Sequence, residues 1–152
     1  MDVSQAKAIV ERDLEGLLDT FGLGHWDVRV DLDAIRDEGP NTIGISSPNA
    51  DYEHAYIRLD AEAIATEDKL LRVLRHELFH VVVSPLRVYR EAANQHLRRG
   101  SPAYGSDQRT WEHFEEQVIC NLERLYKGLT ATAKAAPEKS GKPRKAPKRK
   151  KG

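Results

Sequence analysis

Between Leu70 and Val83 the chain is apolar on nearly every side of one helical stretch, and within it stands His76-Glu77-Leu78-Phe79-His80. Leu70, Leu71, Val73, Leu74, Leu78, Phe79, Val81, Val82 and Val83 make this a central, buried helix. Thr66-Glu67-Asp68 opens it, with acidic groups where the helix dipole favours them. Three titratable side chains inside such a helix need partners, because burying a polar group unsatisfied costs roughly a few kcal/mol. At 3.6 residues per turn, His76 and His80 lie one above the other on one face. Two imidazoles so placed can share one metal ion, and the intervening Glu77 is the residue type that takes a proton from a water. The pattern arises by chance about once in fifty sequences of this composition, so its weight comes from the apolar helix around it.

The rest of the chain predicts an α+β domain. Ser4 to Thr20 carries apolar residues at helical spacing, with Ser4 as N-cap and Gly22 and Gly24 as the stop. Trp26 to Asp33 and His54 to Asp60 alternate apolar and polar with a period of two, and Thr42 to Ser46 reads as a further strand. Ser47-Pro48-Asn49-Ala50-Asp51 reads as a turn. Ser84-Pro85 is expected to end the buried helix, with a second helix over Leu86 to Leu97. Asp107 is expected to cap a last helix running to about Lys127. A leading helix, three strands and then helices suggest a small antiparallel sheet with helices packed on it.

A catalytic zinc usually has three protein ligands and one open position. On the last helix, Trp111, Phe114, Val118, Ile119, Leu122, Leu125 and Tyr126 define an apolar face, and Glu115 falls near its middle. Glu115 is therefore the expected third ligand for Zn²⁺, beside His76 and His80. Glu116, about 100° away, is the reserve, and His96 is a weaker alternative. Tyr56 and Tyr104 are remoter candidates for stabilising an oxyanion.

Composition matters here through its asymmetry. Residues 1–128 hold 15 Lys and Arg against 23 Asp and Glu, whereas residues 129–152 hold 9 against 1. The formal net charge of zero is an acidic body offset by a basic tail, and the natural boundary lies at 128. The tail has no large apolar group after Leu129 and is expected to be disordered. Its segment 139–151 suits nonspecific contact with nucleic acid through phosphates. That supports a second reading, a nucleic-acid-associated protein with a mainly structural zinc site. No apolar run approaches the roughly 20 residues of a membrane span. One cysteine, Cys120, and no secretory leader pattern fit a cytoplasmic protein.

The HExxH helix followed by a helix bearing Glu115-Glu116-Gln117-Val118 resembles the gluzincin-type zincin metallopeptidases, and more narrowly the small metallopeptidase-like proteins of phage and bacterial genomes. The resemblance covers residues 1 to about 127. It implies a zincin-like α+β fold, peptide or protein substrates, His76 and His80 as zinc ligands and Glu77 as catalytic base. It also implies an edge strand beside the metal helix that holds an extended peptide, with His54 to Asp60 the candidate. Ile119 stands four residues beyond Glu115, where some gluzincins keep an Asp that orients the zinc ligands. Val83 and Leu86 exclude the metzincin continuation HExxHxxGxxH.

Overall fold

In the computed structural model, residues 1–32, 35, 39 and 42–135 are described, with side chains to 131. The expected tail contact through residues 139–151 lies outside them. The elements run α1 (Val3–Thr20), β1 (Asp27–Asp31), β2 (Gly44–Asn49), β3 (His54–Leu59), α2 (Glu67–Ala93) and α3 (Pro102–Ala135). No helix among the described residues is long and apolar enough to cross a membrane.

The α+β class holds. The expected antiparallel sheet does not: β3 pairs parallel with β1 and antiparallel with β2, so the sheet is mixed, in the order β1-β3-β2. Period-two alternation gives a strand two faces but no direction, so either pairing suits it. The same order corrects the expected edge strand. The strand at His54 to Leu59 is central, with both sides hydrogen-bonded, and the edge nearest α2 is β2. Ser47, Pro48 and Asn49 belong to β2 rather than to a turn. An edge strand tolerates a proline because one of its sides makes no ladder bonds.

α1 is capped by Asp2 rather than Ser4: its carboxylate accepts from the Gln5 backbone N–H at 2.8 Å, and the Gln5 side chain accepts from the Asp2 N–H. Gly22, at φ +70°, takes the left-handed conformation that turns the chain out of the helix. β3 turns Ala55, Ile57 and Leu59 inward onto Leu70, Leu74, Leu78 and Val81 of α2, and α1 adds Ala6, Val10 and Leu17. A smaller cluster of Phe79, Val83 and Ile119 joins α2 to α3.

α2 does not stop at Pro85; it continues to Ala93, absorbing most of the expected second helix. Proline lacks the N–H that would bond the Val81 carbonyl. The buried Ser84 supplies the replacement, its hydroxyl donating to that carbonyl at 2.8 Å. α3 starts earlier than expected, with the Ser101 hydroxyl accepting from the Tyr104 N–H. Asp107 lies inside that helix, accepting from Arg90 and Asn94. α3 also runs past residue 128, to Ala135.

Candidate metal centre

α2 and α3 pack side by side, and their seam brings His76 and His80 against Glu115, Glu116 and Glu123. The two histidines are one turn apart, with ring centroids separated by 5.1 Å. Each ring turns its Nδ1 to a carboxylate of α3: His80 Nδ1 lies 2.9 Å from Glu115 Oε1, and His76 Nδ1 lies 3.3 Å from Glu123 Oε1. A carboxylate at Nδ1 favours the proton there and leaves Nε2 with its lone pair free. Both Nε2 atoms then face Glu116, at 3.7 Å from His76 and 3.2 Å from His80.

His76, His80 and Glu116 form a group whose donor atoms lie within 4.8 Å of one another. Tetrahedral ligands around Zn²⁺ at its usual bond lengths stand about 3.3 Å apart. His80 Nε2 lies 3.2 Å from Glu116 Oε1 and His76 Nε2 lies 3.7 Å from the other oxygen, Oε2, so the cluster stands close to that spacing without matching it on a single oxygen. Two imidazole nitrogens and one carboxylate oxygen are a suitable donor set for zinc, so these residues fit the implied ion.

The expected third ligand, Glu115, takes another place. It is 4% exposed, as its position on the apolar face predicts. However, both its oxygens are committed. Oε1 faces His80 Nδ1 and accepts from Arg87 Nη2 at 2.6 Å; Oε2 accepts from Arg87 Nε at 3.0 Å and Trp111 Nε1 at 2.9 Å. Burial acts to raise its pKa, but the bonds from His80 and Arg87 outweigh that and hold the carboxyl down at about 2. Glu116, half exposed beside it, points where an ion can enter. For His80, burial alone lowers the pKa, yet the bond to Glu115 and the charges of Glu77 and Glu116 raise it overall.

Glu77 is buried between α2 and β2. Burial drives its pKa up, countered in part by the two histidines and by a hydrogen bond with the Ser46 side chain. Gly44 makes this fit: a Cβ there would lie 2.6 Å from Glu77 Oε1 and 2.7 Å from Val73 Cγ1. Glu77, His76, His80 and Glu116 open together on a cavity of about 280 Å³, walled by Gly44 to Ser46 of β2 and by Arg87. A neighbouring cavity of about 400 Å³ adds Arg72, Cys120, Glu123 and Lys127.

The other sequence candidates lie elsewhere. His96 is exposed beyond the Asn94 cap of α2, and His113 pairs with Gln117 on the outer side of α3. His25 neighbours Glu53, and His54 stacks on Tyr52. Tyr56 faces away from α2 and donates to Asp31, while Tyr104 lines a cavity at the α2–α3 turn. Sequence reasoning missed Glu123 and Arg87. Glu123 lies eight residues after Glu115, two helical turns on, and that spacing is the signal that could have found it. Arg87 lies seven residues after His80, but a helix expected to end at Pro85 hides that relation. No protein-family model, curated protein or solved structure matches this chain.

Proposed function

We propose that the protein is a zinc-dependent peptide hydrolase of zincin type, with His76, His80 and Glu116 as metal ligands and Glu77 as general base. One observation carries the reading: both histidines are backed at Nδ1 by carboxylates of α3 while both Nε2 atoms converge on a third carboxylate, with Glu77 on the same cavity. A structural ion-pair cluster has no need of an open cavity in front of the two Nε2 atoms.

When bound, the metal supplies Lewis acidity that makes a water acidic enough to lose its proton near neutral pH. Glu77 takes that proton onto a carboxylate whose raised pKa suits it for acceptance and later release to the leaving amine. Gly44 leaves that carboxylate room. The side of β2 that no strand pairs among the described residues runs beside the cavity and offers backbone groups to an extended peptide. Glu115 and Glu123 hold the imidazoles in register and take no part in proton transfer.

Elemental analysis of purified protein beside His76→Ala, Glu116→Ala and Glu77→Gln tests the assignment. We expect one zinc per chain, lost in the first two variants and kept in the third. Glu77→Gln should lower hydrolysis of an unstructured protein substrate by at least about 10²-fold. Undiminished hydrolysis by zinc-loaded Glu77→Gln, or failure of the wild type to bind zinc after reconstitution, would overturn the reading.

A further inference from the structure

Arg87 stands seven residues after His80 on α2, so it returns to nearly the same face of the helix two turns on. It meets Glu115 side-on, using the Nε–H and one Nη2–H. A guanidinium carries five N–H donors. Three therefore remain, and those on Nη1 and Nη2 form a second fork with the spacing of a carboxylate or phosphoryl group. Among the described residues no other carboxylate lies within ion-pair reach of Arg87.

The two partners differ in exposure, Arg87 at 38% of its side chain and Glu115 at 4%. The buried carboxylate is thus the anchor and the guanidinium the exposed end. Trp111 and His80 fix that anchor in turn. The cation borders the cavity shared by His76, Glu77, His80 and Glu116, and also a second cavity of about 210 Å³ along Pro48 and Asn49 of β2 and the turn residues Ala50 and Asp51. A flexible side chain loses much of its binding energy on being ordered; here Glu115 has already ordered it.

We infer that the free fork of Arg87 receives an oxyanion of the substrate in the metal cavity, making Arg87 a catalytic residue and Glu115 the residue that positions it. The inference rests on the hydrolase reading above. The oxyanion has two sources: the oxygen that turns negative as the scissile carbonyl is attacked, and a carboxylate that the peptide already bears. Both present the same charge and the same donor requirement to the fork.

The test uses Arg87→Lys and Arg87→Met in the full chain, with zinc content measured first. The probe is a phosphonamidate dipeptide, which carries a tetrahedral oxyanion. Lysine keeps a charge for Glu115 but has no fork. We expect zinc to be retained in Arg87→Lys and the affinity for the phosphonamidate to fall by about 10- to 100-fold in both variants. Unstructured peptides with free and amidated C-termini separate the sources. A fall in kcat at nearly constant KM for both peptides identifies the developing oxyanion, whereas a rise in KM confined to the free-carboxylate peptide identifies the ground-state group. Phosphonamidate affinity within twofold of wild type in zinc-loaded variants overturns the inference while leaving the hydrolase reading intact. Loss of zinc in both variants also overturns it, since Arg87 would then act through Glu115 and His80 alone. A wild type that binds no zinc removes both.

Discussion

Glu115 and Glu116 are adjacent in the chain and differ by one step of 100° on the helix, yet that step separates a buried carboxylate from a half-exposed one. The helical wheel makes the burial of Glu115 legible. It does not say which flank of the buried stripe fronts a cavity, because that depends on where β2 and Arg87 come to lie. Burial selects carboxylates whose lone pairs are filled, whereas a metal ligand must keep one oxygen open. The acid behaviour of Glu115 follows. Its pKa of about 2 in the folded protein lies below its ordinary 4.5, so the fold favours the ionised form. That stabilisation is complete above pH 4.5 and disappears as pH falls through about 2. Metal-free wild type should therefore lose melting temperature more steeply than Glu115→Gln across that interval. Parallel curves from thermal melts at stepped pH would refute the assignment.

At the level of elements, the helices and strands were legible because apolar spacing records which face is buried. Direction and continuity were not. The parallel partnering of β1 with β3 depends on a crossover to the far edge, and no local pattern encodes it. α2 persists through Pro85 with one hydroxyl, that of Ser84, standing in for a missing N–H. This makes a sharp double-mutant prediction. Ser84→Ala should cost about 1 kcal/mol in the wild-type background, because the Val81 carbonyl loses its donor. In a Pro85→Ala background the chain regains a backbone N–H for that carbonyl, so the same substitution should cost little. Equal costs in the two backgrounds, measured by denaturant unfolding, would show that Ser84 does not serve that carbonyl.

Across the molecule, the candidate site straddles two packing units. His76, Glu77 and His80 belong to a helix rooted in the main core, while Glu115, Glu116 and Glu123 arrive on α3, which is held to α2 through Phe79, Val83 and Ile119. Ile119 is fully buried, and truncation to Ala should destabilise by about 2–5 kcal/mol. Because it loosens α3, Ile119→Ala should also weaken zinc binding more than a main-core change such as Leu74→Ala matched for loss of stability. Isothermal titration of zinc into both variants decides this; equal affinities would mean that α3 docks independently of that contact. Conversely, an ion shared between α2 and α3 should slow amide exchange along α3.

One aromatic ring joins these two units. Phe21, at the end of α1, packs on the main core and also meets Phe79 and Tyr126 in tilted ring contacts, with centroids 4.8 and 5.5 Å away. The first element of the chain is thereby closed by its last. During synthesis the ribosome delivers Phe21 early and Tyr126 about a hundred residues later. The sheet, α1 and the first half of α2 can assemble in that interval, with both histidines in place and no carboxylate yet opposite them. A nascent chain at that stage would carry both histidines of the candidate site before Glu115, Glu116 and Glu123 of α3 arrive opposite them.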